Sequence, residues 1–478
     1  MVDYKELGFR CGLEIHQQVD SGKLFCRCPS LVHDVNPTIH MIRRLRAVAG
    51  EAGRIDTAAL YEATKAKMIM YEGCSTSTCL VELDEEPPQV MDSDALIVAI
   101  QVAKLLHAHV VDEVLVMRKI VIDGSNVSGF QRTALIAQDG FVETSKGRVL
   151  IPMICLEEES AQKIGEEEGK IMYRLDRLGV PLIEVSTGTD ILDPEHAKEV
   201  AHKIGMILRS TGKVKRGIGS IRQDVNVSIH GGARIEIKGF QELRSIPNII
   251  EFEIARQLNL IKIGTCVESQ VRKAEPDLTT SFLRPMPGAQ RMYPETDIPS
   301  VPLAISFVES ISTPILLDEQ VKDLVVRFGI DHDTATSLTG EGWSMWFVDV
   351  VQRCKNLKAS YIADLLFSIS NQVKKKYDVD VVVSSDDLME LCLALDAGVV
   401  SKEAVVDVVV CAWREHSSIR DVLGQFRMLS DVQLRIAVKQ VIDKNPGVSF
   451  NALVGKVMEV LRGKADGKKI IECVKMLL

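Results

Sequence analysis

The sequence of 478 residues lacks any run of about 20 apolar residues, the length that a helix needs to span a membrane. Its longest apolar stretch, DALIVAIQVAKLLHAHV, is interrupted by Gln101 and Lys104. The opening segment, MVDYKELGFR, contains no apolar signal core, so we expect a cytoplasmic protein. A formal net charge of -9 argues against indiscriminate nucleic-acid binding, although a local basic patch is compatible with it.

The sequence also lacks a Walker A loop and a dinucleotide-binding fingerprint. The closest segment is RKIVIDGSNVSGFQRT, a turn rich in glycine and serine that follows a strand-like run. Its hydroxyl and backbone N–H groups, with Arg118, Lys119 and Arg132 beside them, have the chemistry to hold phosphate oxygens. A plain hairpin turn is an equally good interpretation of this composition.

Strand-like runs outnumber helices in the first part of the chain, and short glycine turns join them, which predicts a largely antiparallel α+β domain. A helix is predicted at DPEHAKEVAHKIGMILRSTG, where Asp193 can cap it and Pro194 suits its first turn. After Pro314 the apolar period becomes 3.6, which predicts an all-α region. We therefore expect a strand-rich core over 1–308 and two helical domains over 309–383 and 384–478.

Acidic residues and a histidine fall on strand-like segments. Glu14 and His16 alternate with apolar residues and so share one face of a strand. Glu157 lies in LEEES, and Glu184 interrupts the apolar run PLIEV, where a carboxylate is costly to bury unless it is paired or binds an ion. Imidazole with carboxylates suits Mg²⁺ or Mn²⁺ beside a phosphate. The alternative is that these acids are solvated at turns and strand edges.

Four cysteines form two close pairs, Cys26 with Cys28 and Cys74 with Cys79. In an intracellular protein such pairs are more typical of a metal site than of disulfides, and four thiolates predict a structural zinc. The spacings depart from the common CxxC knuckle, so four unrelated cysteines remain the alternative. A basic segment, RSTGKVKRGIGSIRQ, suggests RNA contact, although such turns are commonly only solvated.

Several segments, in this order, resemble the B/E family of tRNA-dependent amidotransferase subunits, most closely its archaeal E branch. They are GLEIHQQVDSGKLFCRCPS, MRKIVIDGSNVSGFQRT, LEEESAQK, RLDRLGVPLIEVSTGTDI, GSIRQDVNVSI and FLRPMPGAQRMYPETDIP. The resemblance covers almost the whole chain. The family's E members carry an additional domain before the FLRPMPG segment, and this domain is expected to be missing here near residues 268–275.

The resemblance implies an ATP-dependent carbon-nitrogen ligase that converts Glu-tRNA(Gln) into Gln-tRNA(Gln). ATP phosphorylates the γ-carboxyl group, and ammonia then displaces the phosphate. The sequence shows no Ser-rich amidase signature and no asparaginase-like nucleophile motif. The family therefore implies an asparaginase-like D subunit that supplies ammonia through a tunnel, within a heterodimer or a dimer of heterodimers.

The resemblance also implies roles for individual residues. The catalytic group is Glu14, His16, Lys119, Glu157 and Glu184, with the magnesium ion held by His16, Glu157 and Glu184. Contacts to the nucleotide or to the reacting groups are expected from Arg118, Ser125, Ser128, Arg132, Asp224, Asn226, Glu236, Lys238, Arg291 and Tyr293. The helical tail holds the tRNA body in this family, which makes Lys456, Arg462, Lys464, Lys468 and Lys469 the expected tRNA contacts.

Two other functions fit the same sequence. One is a bacterial-type B subunit, which also accepts Asp-tRNA(Asn) and works with different partners. The other is a tRNA-binding scaffold without catalysis, in which the acidic cluster only supports the fold.

Overall fold

The computed structural model describes residues 3–32, 36–47, 49, 53–167, 169–240, 242–288, 292–461, 463–465 and 467–477. It divides into two units, Met1–Leu316 and Leu317–Leu478. The first unit mixes strands and helices, and the second is helical. The predicted α+β class, with a strand-rich part followed by a helical part, is confirmed.

Unit one contains all the strands of the described residues. They are β1 (Arg10–Gln18), β2 (Ile39–Arg43), β3 (Met68–Gly73), β4 (His109–Val110), β5 (Glu113–Val114), β6 (Val116–Ile120), β7 (Phe130–Thr144), β8 (Gly147–Glu158), β9 (Gln162–Glu167), β10 (Lys170–Arg174), β11 (Pro181–Ser186), β12 (Ile221–Ser228), β13 (Ile235–Lys238), β14 (Gln270–Ala274), β15 (Thr280–Pro285), β16 (Met292–Pro294) and β17 (Val301–Pro302).

Eleven of these strands form one large sheet in the order β15-β14-β13-β12-β1-β11-β8-β7-β6-β16, with β4 paired to β7. Its pairs are antiparallel except β13 with β14. A smaller sheet has the order β2-β3-β10-β9, and β17 pairs with β5. The predicted antiparallel character of the core is therefore confirmed.

One face of the large sheet is apolar and carries helices. The helices of unit one are α1 (Thr57–Thr64), α2 (Ser93–Leu105), α3 (Pro194–Ser210), α4 (Ile246–Lys262) and α5 (Ile305–Ser310). Leu13, Ile15 and Val225 share one buried cluster with apolar residues of α2, α3 and α4. The predicted cap of α3 is present, since Asp193 accepts a hydrogen bond of 3.0 Å from the backbone N–H of His196. This cluster leaves the opposite face of the sheet available for polar side chains.

The segment 264–280 is polar and has no clear apolar period, yet β14 and the start of β15 lie there. β15 is the last strand of the large sheet and β14 lies beside it. Their polar side chains are paired, since Arg272 donates a hydrogen bond to the side chain of Thr280 and lies 3.5 Å from Glu253. Residues 263–269 form a short link between α4 and β14.

The second unit consists of helices. They are α6 (Leu317–Phe328), α7 (His332–Gly340), α8 (Ser344–Arg353), α9 (Ala359–Tyr377), α10 (Ser385–Asp396), α11 (Val405–Arg414), α12 (Ile419–Val422), α13 (Asp431–Asp443), α14 (Phe450–Val460) and α15 (Gly467–Leu477). Ser418 and Asp421 form a capping box at α12. One apolar cluster runs from Val321 to Val422 and another from Leu434 to Val474. The predicted boundary at residue 384 falls inside the first cluster.

The lysines predicted to contact tRNA lie in the last part of this unit. Lys456 is in α14, Lys464 is in the turn after it, and Lys468 and Lys469 are in α15. All four side chains are exposed. Arg462 lies outside the described residues.

Among the helices that the structure describes, none combines the length and the apolar character that crossing a membrane requires.

Candidate active site

The polar face of the large sheet carries the residues predicted to be catalytic. Strand alternation turns Leu13 and Ile15 toward the helices, so Glu14 and His16 face the other way. In the ladder, His16 lies opposite Glu184 on β11, and Glu157 on β8 lies opposite Leu182. Three segments that are remote in sequence therefore meet at the centre of one sheet.

The distances within this group are short. His16 Nε2 lies 3.5 Å from Glu184 Oε2 and 3.9 Å from Glu157 Oε1. Lys119 Nζ donates to Glu157 Oε2 at 2.7 Å and also lies 3.4 Å from Glu184 Oε2. The two carboxylates are nearly buried, at 2% and 8% exposed. The structure thus brings together all five residues predicted to be catalytic, with Glu14 beside His16 and Glu184.

The group is electrostatically coupled. Burial alone would raise the pKa of Glu184, but the charge of Lys119 and the hydrogen bond to His16 hold it well below the usual range. Burial would lower the pKa of His16, but the hydrogen bond and charge of Glu184 raise it. Burial raises the pKa of Glu14. The low pKa of Glu184 favours its charged form beside Lys119 and His16.

A second acidic group adjoins the first. The carboxylate of Glu14 belongs to two groups of potential metal ligands. One group contains His16 and Glu184, and the other contains Asp224 and Glu236. Lys238 Nζ lies 2.6 Å from Glu236 Oε1 and is also paired with Asp224. The charges of these two acids overcome the effect of burial and raise the pKa of Lys238. The predicted residues Asp224, Glu236 and Lys238 therefore lie in the same cavity as the catalytic group.

Asn226, also predicted, contacts this group from the side. Its Nδ2 donates a hydrogen bond of 3.1 Å to Glu14 Oε1, and its Oδ1 accepts one of 2.9 Å from Arg234. Asn226 thereby fixes the orientation of the carboxylate that belongs to both acidic groups.

The cavity over these residues has a volume of about 690 Å³. Its wall includes residues that the sequence did not reveal, namely Gln131, Thr133, Arg234, Arg284, Met286, Pro287 and Gly288. Arg222 was noted only as part of a basic segment, but its guanidinium bonds Glu159 at 2.8 and 2.9 Å at the cavity wall. Arg234 and Arg284 add positive charge around the acids. The position of Thr133 directly opposite Glu157 could have been found only from the pairing of β7 with β8.

Five residues predicted to contact the nucleotide lie outside this cavity, contrary to the prediction, namely Arg118, Ser125, Ser128, Arg132 and Tyr293. Arg118 and Arg132 alternate with Lys119 and Gln131 along β6 and β7, so their side chains leave the sheet on the opposite face. Both guanidinium groups bind the buried carboxylate of Glu295, Arg132 at 2.8 Å. Arg118 also lies over the rings of Phe130 and Tyr293, the latter another predicted residue.

The glycine and serine turn is a hairpin connection. Ser125 hydrogen-bonds Asp123, and Ser128 donates to the carbonyl of Phe130. The turn joins β6 to β7, and Tyr71 of the small sheet donates a hydrogen bond of 2.8 Å to the carbonyl of Gly124. The structure therefore agrees with the hairpin interpretation at Ser125 and Ser128. Arg291, the remaining predicted contact, lies outside the described residues.

Three of the four paired cysteines come together. Cys26, Cys28 and Cys79 form a group with Glu82 in which the four ligand atoms lie within 4.8 Å of one another. Cys74 is not in this group, which corrects the prediction of four cysteines. It is the first residue after β3, and its N–H donates to the buried carboxylate of Asp176 at 3.1 Å. The arrangement is compatible with a structural metal.

Ionisable groups with shifted pKa values inside a cavity are typical of active sites. The fold and the cavity therefore define an α+β enzyme domain followed by a helical region. Residues 9–309 match the family model described as the GatB/GatE catalytic domain, and residues 346–478 match the GatB domain. The chain belongs to the GatB/GatE family.

Curated relatives agree with this result. The chain is 34% identical over 627 positions to the E subunit of glutamyl-tRNA(Gln) amidotransferase from Methanocaldococcus jannaschii, with 100% of the chain and 99% of the relative covered. The proteins of the same name from Methanosarcina barkeri and Thermococcus gammatolerans are 33% and 35% identical, with 99% of the chain and 98% of each relative covered. The first alignment is 149 positions longer than the chain of 478 residues. At least 149 residues of this relative therefore have no counterpart in the chain.

Proposed function

We propose that the chain is the E subunit of a glutamyl-tRNA(Gln) amidotransferase and that the cavity on the large sheet is its active site. The observation that carries this proposal is the convergence of His16, Lys119, Glu157 and Glu184 in one cavity. The names and the full-length similarity of the relatives support it.

The reaction has two steps. A γ-carboxylate oxygen of the tRNA-bound glutamate bonds to the γ-phosphorus of ATP, the bond to the bridging oxygen breaks, and ADP leaves. Ammonia then bonds to the carbonyl carbon, phosphate leaves, and the nitrogen loses a proton. The first step converts a poor electrophile into a good one. It also brings two anions together, so positive charge is required at the point of contact.

The residues around the cavity suit this requirement. His16, Glu157 and Glu184 would hold Mg²⁺, with Glu14 close by, because imidazole and carboxylate donors converge there. The ion would neutralise negative charge on the phosphates. Lys119 places an ammonium group between the two carboxylates, and Arg234 and Arg284 supply further positive charge for phosphate oxygens.

The proposal includes partners. An asparaginase-like D subunit supplies ammonia, which enters beside Lys119 and Glu157, in a heterodimer or a dimer of heterodimers in the cytoplasm. The cysteine group holds a structural zinc ion. The alignment positions without a counterpart support the absence of the family's additional domain, which we place near residues 268–275, where the link at residues 263–269 meets β14.

The proposal is tested by supplying the chain with Glu-tRNA(Gln), ATP and ammonium chloride, so that no partner is needed as the ammonia source. We expect ATP hydrolysis that depends on the charged tRNA, together with formation of Gln-tRNA(Gln). ATP hydrolysis that does not respond to the charged tRNA would contradict the proposal. Equal use of Asp-tRNA(Asn) would instead indicate a B-type subunit, as would co-purification with an amidase-like chain.

The helical tail gives a separate prediction. Replacing Lys468 and Lys469 with Ala should weaken tRNA binding and reduce the slope of log K against log salt by about two, because each phosphate contact releases about one counterion. Filter binding at several salt concentrations measures the slope. Lys469 also lies 3.3 Å from Asp431, but an exposed ion pair of this kind contributes little to stability.

A matched control is the double replacement of Lys374 and Lys375, two lysines of α9. This control removes the same charge from the same unit. Its slope of log K against log salt should equal that of the wild type within experimental error. An unchanged slope in the Lys468 and Lys469 variant would mean that these lysines are only solvated.

A further inference from the structure

A second cavity, the α4 cavity, has a volume of about 620 Å³ and adjoins the active-site cavity. It forms where the parallel strands β13 and β14 end, since Gly239 follows β13 and Ala274 is the last residue of β14. The start of α4, the helix that connects these two strands, supplies another part of its wall. Gly239 also lines the active-site cavity, so the two cavities share a rim. In a β-α-β unit, the carboxyl ends of the strands and the start of the helix are the usual place for a ligand.

The charged side chains that the structure describes in the wall of the α4 cavity form two opposite pairs. Lys273 Nζ lies 3.0 Å from Glu275 Oε2, and Arg244 pairs with Glu242. The formal charge of this part of the wall is therefore zero. Because charged groups are costly to desolvate unless they are paired, the α4 cavity suits an uncharged part of a ligand better than a phosphate group.

Apolar surface and one amide complete the wall. Phe240 and Ile249 line the cavity and are 7% and 2% exposed. Asn248, in the first turn of α4, is exposed, and its side chain forms no hydrogen bond with another of the described residues. An amide offers a donor and an acceptor side by side, which match the N6 amino group and N7 of adenine. The wall thus combines apolar surface for a flat ring with a group that can recognise the edge of that ring.

Leu278 lies in the same wall in a strained conformation. It belongs to the turn between β14 and β15, where its N–H donates to the carbonyl of Glu275 at 3.0 Å. Its φ of +68° lies in the left-handed region, which a bulky residue rarely adopts and which glycine adopts without strain. The side chain stays 37% exposed, so burial within the chain compensates for this strain only in part. Such strain is typical of ligand sites, and contact with a ligand would explain why a leucine occupies this turn.

We propose that the α4 cavity binds an adenine nucleoside, with the base against Phe240 and Leu278 and its edge at Asn248. This inference rests on the proposed function, because both proposed substrates contain adenine. One source is the adenosine of ATP, and the other is the 3′-terminal adenosine of the tRNA, which carries the glutamate. In either case the reacting end of the substrate extends over the rim at Gly239 toward the carboxylates of the active site.

Replacing Asn248 with Ala tests the amide. Binding of ATP and of GTP to the purified full chain is measured by calorimetry without tRNA. If ATP is the source of the adenosine, the Kd of ATP should rise by about tenfold in Asn248→Ala, and the preference for ATP over GTP should fall by a similar factor. Asn259→Ala is the matched control, since it removes an exposed amide from the same helix, and it should bind both nucleotides like the wild type.

Replacing Leu278 with Gly separates binding from stability. Relief of the backbone strain offsets the lost apolar contact, so the midpoint of urea unfolding should stay close to that of the wild type. The Kd of ATP should nevertheless rise by about tenfold, because the base loses an apolar surface. Leu258→Ala is the control, since Leu258 lies on α4 at a similar exposure of 39%, and it should leave the Kd unchanged.

The KM for Glu-tRNA(Gln) in ATP hydrolysis distinguishes the two sources. A rise of about tenfold in this KM for both variants, with an unchanged Kd of ATP, would assign the cavity to the terminal adenosine of the tRNA. If both variants kept the wild-type Kd and the wild-type KM, the inference would be overturned, while tRNA-dependent hydrolysis by the wild type would still support the proposed function. Conversely, ATP binding that depends on Asn248 and Leu278 in a chain without tRNA-dependent hydrolysis would contradict the proposed function alone.

Discussion

Replacing Glu184 with Gln should lower tRNA-dependent ATP hydrolysis by about a hundredfold or more, while tRNA binding stays within about twofold. The substitution keeps the shape of the side chain but removes the negative charge that contacts His16, Lys119 and Ser186. The predicted Mg²⁺ site would lose a ligand, and Lys119 would lose one of its two carboxylate partners. Steady-state ATP hydrolysis and filter binding with Glu-tRNA(Gln) measure the two effects.

The control for this experiment is Glu167→Gln, which removes the same charge from the exposed end of β9. The tRNA-dependent ATP hydrolysis of Glu167→Gln should equal that of the wild type. If Glu184→Gln retained hydrolysis within about threefold of the wild type, the active-site proposal would be wrong. If tRNA binding fell as far as hydrolysis did, the scaffold alternative would be favoured.

The second large effect is expected on stability. The side chain of Glu295 is fully buried between Arg118 and Arg132, and its hydrogen bonds to these arginines and to the N–H of Asp297 overcome burial and lower its pKa to about 2. A carboxyl group that ordinarily titrates near 4.5 therefore contributes about 3 kcal/mol to the stability of the folded chain at neutral pH. Glu295→Gln should lower the free energy of unfolding by about that amount, because two arginines lose their charged partner.

The pH dependence gives the sign of the effect. Since the folded-state pKa lies below the unfolded one, the contribution is complete above pH 4.5 and is lost as the pH falls toward 2. Urea denaturation at a series of pH values should show the wild type and Glu295→Gln converging in acid. The exposed Glu309, changed to Gln, is the control and should follow the wild type throughout. A difference between wild type and Glu295→Gln that does not change with pH would refute the electrostatic explanation.

Strand alternation predicted only that Glu14 and His16 share a face, whereas the grouping of Glu157 and Glu184 with them came from the family resemblance. Glu14 and His16 are two residues apart, so their common face follows from the period of a strand alone. The same rule separates Lys119 from Arg118, yet all cations near the turn were assigned to one site. Whether Arg118 or Lys119 faces the cavity depends on how β6 pairs with β7 and β16. The sequence of one strand does not determine that pairing.

The metal group shows a different limit. Spacing drew attention to the thiols but could not show that Glu82, three residues after Cys79, turns back toward Cys26. Cys74, in contrast, donates its N–H to Asp176 and lies outside the group. Likewise, β15 lacks the apolar period of a buried strand because it is the last strand of the sheet, where only part of it is buried.

The order of the large sheet fixes its curvature. Strands β15 and β16 are consecutive along the chain but lie at opposite ends of the path of ten strands. A flat sheet of that width would separate them by roughly 43 Å, whereas the chain from Pro285 to Met292 can reach at most about 25 Å. The sheet must therefore roll into an open trough, and Arg284 and Met292 do line the same cavity. The carboxylates of the central strands therefore lie at the bottom of this trough, within reach of residues from both of its end strands.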